Sequence, residues 1–308
     1  AEVRAAFEGS PVSHRSRAFV SDFQVVKRKL CELTQAANVE VMLGSGSLAN
    51  EVVCSQLALE KQPGLIVSLG EFGERLIDHA TRQGLQFEKL QSEWGASLDL
   101  SELERALDAN PGVRWLWTPH CETSTGVLND LAALKQICAR REVKLCLDCI
   151  SSIGVTPLDL RGVYLASGAS GKGLASYPGL ALVFYNHRVA PAPERLPRYL
   201  DLGYYAANDG IPFTHSSNLV YALKAAIDRG DWSKKFHDIV GASCLLRNQL
   251  LAQGFQLVGD PRSVSPAVVT VALPRSVSAR SAGWQMQKNG FLVSYRSQYL
   301  LARNWVQV

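Results

Sequence analysis

No apolar run in this chain approaches the roughly 20 residues that a bilayer-spanning helix needs, so no membrane partner is expected. Charge of one sign is scarce as well. The net charge is +4 over 308 residues and the basic side chains are scattered, which argues against a nucleic-acid partner. The seven cysteines are odd in number and widely spread, so they form no disulfide framework and suit a reducing compartment, most simply the cytoplasm. Cys146-Leu147-Asp148-Cys149 is formally a C-x-x-C, but no second pair completes a zinc site. His14, His79, His187, His215 and His237 show no metal spacing, so no metal is expected. Repeats and low-complexity tracts are missing, and the opening residues are too polar for a leader.

What remains is a globular composition, 47% hydrophobic and 19% charged, long enough for two domains or one large one. Helical and extended patterns alternate. Phe19, Phe23, Val26, Leu30 and Leu33 recur at helical spacing, and residues 39–43 read as a strand. A Gly/Ser turn and a helix over 49–60 follow, then strands at 65–69, 113–118, 143–147, 163–166 and 180–185. Ser101-Glu102-Leu103-Glu104 reads as a capping box, and 131–140 as a helix. This alternation predicts a mostly parallel sheet covered on both faces. Residues 187–212, with four prolines, read as an irregular connection. Helices at 217–229 and 233–252 follow, then a small α/β unit whose clearest strand is 267–273.

Polar and aromatic residues gather where strands end. Asp148 closes the apolar run 143–147, and Lys172 follows 163–166 in Ser170-Gly171-Lys172. Open α/β sheets bind ligands at their carboxyl edge. A lysine there can hold pyridoxal 5′-phosphate (PLP) as a Schiff base, with an aspartate on the pyridine nitrogen. The lysine is not part of a P-loop, because Ala166 and Gly173 break G-x-x-x-x-G-K-[ST] at two positions. Gly44-Ser45-Gly46-Ser47-Leu48-Ala49 joins a strand to a helix and suits a phosphate, yet it also fits G-x-G-x-x-A, the dinucleotide fingerprint. That segment alone leaves PLP phosphate and NAD(P) open. Phe72, after the second strand, can stack on a flat cofactor. His120-Cys121-Glu122-Thr123-Ser124-Thr125-Gly126 is a dense polar cluster at the same edge, where Thr123 can donate to a ring oxygen and His120 can orient its neighbours.

Together these segments resemble the class V aminotransferases of PLP fold type I, in the branch of alanine–glyoxylate, serine–pyruvate and 2-aminoethylphosphonate–pyruvate transaminases. Matching segments are Ser13-His14-Arg15-Ser16, Gly44 to Ser47, His120 to Asn129, Leu147-Asp148 and Ser170-Gly171-Lys172, in family order. The resemblance implies a large α/β domain, with a mostly parallel sheet of the seven-stranded type between helices, over 1–210. It also implies connecting helices and a small C-terminal α/β domain, incomplete, over 211–308. By position, Lys172 would form the Schiff base and shuttle a proton, while Asp148 would pair with the pyridine nitrogen. Phe72 would stack on the ring, and Thr123 and Ser170 would touch the cofactor. Ser45, Gly46 and Ser47 would hold its phosphate, and Thr214 would reach the phosphate of a partner subunit, which implies a homodimer with shared active sites. Substrates would be a small amino donor, of the alanine, serine or 2-aminoethylphosphonate type, and a 2-oxo acid such as pyruvate or glyoxylate.

Three positions depart from the family pattern. Gly171 stands where relatives often carry a polar or imidazole group, Ile211 where they carry a tyrosine, and Gln307 where the carboxylate-binding arginine is expected. Arg296, after the strand-like run 291–293, and Arg303 are the candidates for that arginine's role. The alternatives are a class V lyase of the cysteine desulfurase type, against which Gly171 counts, and an NAD(P)-binding oxidoreductase using Gly44–Ala49. A fold that has lost catalysis is opposed by the presence of both Asp148 and Lys172.

Overall fold

A computed structural model describes all 308 residues. Helices α1 (Glu2–Glu8) and α2 (Arg17–Thr34) lead into strand β1 (Asn38–Leu43) and helix α3 (Gly46–Glu60). Then come β2 (Gly64–Ser68), α4 (Glu71–Arg82), β3 (Phe87–Gln91), α5 (Leu100–Ala109) and β4 (Trp115–Pro119). A two-stranded ribbon, β5 (Cys121–Glu122) and β6 (Val127–Leu128), precedes α6 (Leu131–Arg140), β7 (Lys144–Asp148), β8 (Leu165–Ala169) and β9 (Leu180–Tyr185). The chain continues through α7 (Leu202–Ala206), α8 (Ser217–Ile227), α9 (Trp232–Ala252), β10 (Gln256–Leu257), β11 (Thr270–Ala272), α10 (Ala279–Lys288), α11 (Gln298–Arg303) and β12 (Trp305–Gln307).

Seven strands form one sheet in the order β1-β9-β8-β7-β4-β2-β3, and only β9 runs against the others. Successive side chains on a strand point to opposite faces, and both faces here are buried. Val39, Val41, Leu65, Val67, Leu145 and Leu147 enter one core with α2, α5, α6 and α8. Met42, Ile66, Trp117, Cys146 and Leu165 enter the other with α3 and α4. Continuous apolar runs, rather than alternation, are therefore what the sequence shows for these strands. A second sheet, β10-β11-β12, is antiparallel and packs Val269, Val271 and Val306 against Ala279 and Tyr295. No helix is long and apolar enough to cross a membrane.

Several expectations are corrected. The dinucleotide reading needs β1, α3 and β2 as one parallel unit, but β1 and β2 lie far apart in the sheet and β1 pairs only with antiparallel β9. Helix α5 starts at Leu100, not in a capping box at Ser101, because the Asp99 carboxylate accepts the N–H groups of Ser101 and Glu102. Strand β8 begins and ends later than 163–166. Ser167 and Gly168 continue its ladder opposite Val183 and Leu182, and Ser167 also pairs with Asp148 of β7, so pairing overrides their weak strand preference. Strand β3 was not expected. It is an edge strand whose Phe-Glu-Lys-Leu-Gln buries only Leu90. Residues 291–293 form no strand, and Phe291 and Leu292 are 64% and 87% exposed. Helix α8 contributes Val220, Leu223 and Ile227 to the larger core, beyond the residue-210 boundary.

Candidate active site

The carboxyl ends of β2, β4, β7 and β8 open on one edge of the sheet, where a cavity of about 170 Å³ forms. Two helices close it: α3 by its first turns, with Gly46, Ser47 and Asn50, and α4 by Phe72, Arg75 and His79. The residues at 72, 75 and 79 share one helix face by spacing. Larger and more open hollows of about 580 and 670 Å³ lie elsewhere, but neither gathers an amine, a buried carboxylate and an aromatic ring.

Lys172 Nζ donates to Ser151 Oγ at 2.9 Å and stands 5.2 Å from the Phe72 ring centroid. Ser151 Oγ in turn meets Thr123 Oγ1, giving a chain of three polar side chains. Burial pushes the Lys172 ammonium below its ordinary pKa, and the Asp148 carboxylate opposes this only in part. Asp148 is buried at the end of β7. Its Oδ2 accepts from Asn50 Nδ2 at 2.9 Å and its Oδ1 from the Ile150 N–H at 2.9 Å. Asn50 is held by Ser167 Oγ, which donates to Asn50 Oδ1 at 2.6 Å. Burial pushes the Asp148 carboxyl up, against the bonds from Asn50 and Ile150.

Phe72 is positioned by a carboxylate from another segment. Gly70, the N-cap of α4, has no side chain to cap the helix. Glu122, wholly buried, accepts instead from the N–H groups of Phe72 and Gly73, the latter at 2.9 Å, and from the N–H and hydroxyl of Ser124. Burial pushes its carboxyl up while those four donors pull it back. The cluster at 120–126 thus supplies Thr123 to the cavity and fixes the helix that carries Phe72.

His120 lies beneath this cluster, with Nδ1 2.8 Å from Ser152 Oγ. Burial pushes its pKa from 6.5 down to about 4. The unfolded chain therefore binds the proton more readily, so the stability this group contributes is full above about pH 6.5 and is lost as pH falls through about 4. Between about pH 7 and pH 5 the loss is about 2 kcal/mol. Urea unfolding at both pH values should show that loss in the wild type and a clearly smaller one in His120→Gln. Equal losses would place the imidazole's titration outside this window.

The remaining expected residues divide. Ser47 and Gly46 line the cavity, and a Cβ at 46 would lie 2.6 Å from Ile150 Cδ1. Ser45 is the α3 N-cap, and its side chain makes no capping bond. The Ser170 hydroxyl is used within its own loop, donating to Tyr177 O and accepting from Leu180 N, so it faces away from the cavity. Thr214 is exposed and outside the cavity. Arg296 is not brought to the cavity. Its guanidinium bonds Gln287 Oε1 and Tyr295 Oη beside the 580 Å³ hollow, because the run before it is no strand. Arg303 lies 3.3 Å over the Trp94 ring, and Trp94 approaches Phe72 only through Tyr299. Gln307 is buried, with Nε2 2.7 Å from Thr123 O and 2.9 Å from Thr270 Oγ1.

Asn50, Arg75, His79, Cys121 and Ser151 line the cavity without having been foreseen. Helical spacing from Phe72 was a signal for Arg75 and His79. The sequence showed only that His79 has no metal spacing; its Nδ1 is 2.7 Å from Glu51 Oε1. Gly171 has a local cause. A Cβ there would come 2.7 Å from Pro178 Cα, so the loop excludes a side chain beside Lys172.

Comparison with known proteins agrees with this geometry. A family profile, aminotransferase class-V, matches residues 4–192. The soluble hydrogenase 42 kDa subunit of Anabaena cylindrica is 30% identical over 281 residues, 86% of this chain and 73% of that one. The L-aspartate–glyoxylate aminotransferase of Paracoccus denitrificans is 29% identical over 242 residues, 74% of this chain and 61% of its own length. The solved alanine–glyoxylate aminotransferase of Nostoc sp. superposes with a TM-score of 0.88 at 25% identity, covering 99% of this chain and 85% of that one. The chain therefore belongs to the class V aminotransferase family, PLP-dependent enzymes of fold type I.

Proposed function

We propose that this aminotransferase moves an amino group from a small donor, of the alanine, serine, aspartate or 2-aminoethylphosphonate type, to a 2-oxo acid, with glyoxylate or pyruvate as acceptor. One observation carries the assignment of roles. The partly desolvated Lys172 amine stands over Phe72 in the same cavity as the buried Asp148.

The residues present fit PLP. An amine with a lowered pKa suits an aldehyde, a buried carboxylate suits a pyridinium, and Phe72 offers a flat apolar face. Gly46 opens the first turn of α3, where unpaired N–H groups and Ser45 and Ser47 suit a phosphate. Bound PLP supplies an electron sink for the pair left at the substrate Cα. Lys172 Nζ is the amine that would link to it and the base that moves a proton to and from Cα. Asp148 Oδ2 would accept the pyridinium N–H, held in place by Asn50 and Ile150. Thr123 and Ser151 would orient the lysine and the ring's oxygen edge.

The desulfurase reading has less support. Gly171 leaves no room for an imidazole beside the lysine, and burial pushes the thiol of Cys121, the cysteine in the cavity lining, up to about 12. We place Thr214 at the phosphate of a partner subunit in a homodimer, and a monomer under active conditions would remove that role. We also read two units, the smaller beginning with α9, and a cytoplasmic enzyme.

The test has two arms. Borohydride reduction of the PLP-loaded protein and peptide mapping should find the pyridoxyl group on Lys172. Alanine, serine, aspartate and 2-aminoethylphosphonate should then be offered singly, with conversion of the cofactor to its amine form read by absorbance. Labelled Lys172 with no conversion by any donor would overturn the aminotransfer assignment while keeping the cofactor site.

A further inference from the structure

The cavity contains a cation to which neither the sequence nor the family comparison gave a task. Arg75 lies one turn beyond Phe72 on α4, and its Cζ is 4.9 Å from the Phe72 ring centroid. Lys172 Nζ is 5.2 Å from the same centroid. Two cations over one ring repel each other. After burial, Asp148 and Cys121, Arg75 is the next influence on Lys172, and it lowers the lysine's pKa. An anion between or beside them would relieve that repulsion.

Arg75 is available for one. Its Nε and one terminal nitrogen both donate to a single oxygen, Glu71 Oε1, at 3.1 and 3.0 Å, which leaves its other terminal nitrogen free. That pair is half exposed (52% for the Arg75 side chain), so water screens it and it holds the guanidinium loosely. Arg75 is the one arginine in the cavity lining. Arg296 and Arg303 are engaged elsewhere, and Gln307 is tied to backbone carbonyls of the 120–126 cluster. The phosphate of the cofactor already has the first turn of α3.

We propose that Arg75 is the oxyanion-binding residue of this cavity and meets the acid group of the amino donor and of the 2-oxo acid. This rests on the aminotransferase reading above. A guanidinium presents paired donors that match a carboxylate, and a phosphonate would be met by the same donors.

Arg75→Gln and Arg75→Lys, loaded with PLP, separate the possibilities. In the glutamine variant KM for alanine and for glyoxylate should each rise roughly tenfold or more, with kcat changed far less. Lysine should restore part of the loss. Acetate binding, read without turnover from its effect on cofactor absorbance, should weaken alongside. The Kd for PLP, titrated into apoprotein, should stay within about threefold, below half a decade of affinity. Glu71→Gln, which releases the guanidinium without removing it, should lower KM. A rise in the PLP Kd with unchanged KM at saturating cofactor would assign Arg75 to the cofactor phosphate and overturn the substrate assignment. No change in KM, acetate binding or PLP Kd would overturn the oxyanion role altogether. If the wild type itself transfers no amino group, the acetate arm still decides whether Arg75 binds an acid, so the two failures are distinguishable.

Discussion

Lys172→Ala should abolish amino transfer and leave the fold intact. The reaction needs an amine at this point of the cavity and a base at the substrate Cα, and alanine supplies neither. Turnover should fall on the order of 10³-fold or more. Stability should hardly move, because the lysine makes one side-chain hydrogen bond, to Ser151, which keeps Thr123 as a partner. Removing a partly desolvated ammonium relieves a burial cost rather than creating one. Turnover with alanine and glyoxylate, together with urea unfolding, measures both halves. Near wild-type turnover in the purified variant would remove Lys172 from the chemistry. Loss of the folded state would show instead that the ammonium is structural.

Asp148→Asn should be nearly as damaging to catalysis while preserving shape. Both carboxylate oxygens are occupied by donors, Asn50 Nδ2 and the Ile150 N–H. An amide at 148 can accept through one oxygen only, so its NH₂ must face one of those donors. Asn50 cannot simply turn over, since its own oxygen accepts from Ser167. The same NH₂ offers the pyridine nitrogen a donor where a proton has to be retained. Removing one member of a buried charge pair costs about 3–5 kcal/mol, which corresponds to roughly 10²–10⁴-fold in rate. The single-turnover rate with alanine should fall by that factor, and a lost hydrogen bond of about 1–2 kcal/mol should appear in unfolding. An unchanged single-turnover rate would mean that Asp148 does not hold the pyridine proton.

The parts of the site that were legible in the sequence are those fixed by local chain geometry. Asp148 follows an uninterrupted apolar run, and such a run is what a strand buried on both faces looks like. Gly46 and Ser47 sit at a strand-to-helix turn that the residues themselves announce. The illegible parts depend on packing between distant segments. Ser151 reaches Lys172 through the turn after β7, and Glu122 caps a helix fifty residues earlier in the chain, which no local pattern reveals. Strand β8 was misplaced because Ser167 and Gly168 read as loop, and only their ladder with β9, joined at Ser167 by β7, makes them strand. Arg296 was a candidate on the premise that residues 291–293 form a strand. They lie exposed instead, so the argument for its direction had no basis.

The antiparallel placement of β9 has a consequence for how the chain is made. As synthesis proceeds from the N-terminus, β2 can find β3 and then β4, and β7 can find β8, each soon after emerging. Strand β1 has no such neighbour. Its sole partner in the sheet is β9, so its backbone N–H and C=O groups have no strand to pair with while the intervening residues are translated. Pairings so distant in sequence form slowly, and an apolar edge left open in the meantime invites association with other nascent chains. The hairpin of β8 and β9 is thus the closing event of the large sheet. It also carries Lys172 in its connection, so the amine reaches its cavity only as the last strand docks.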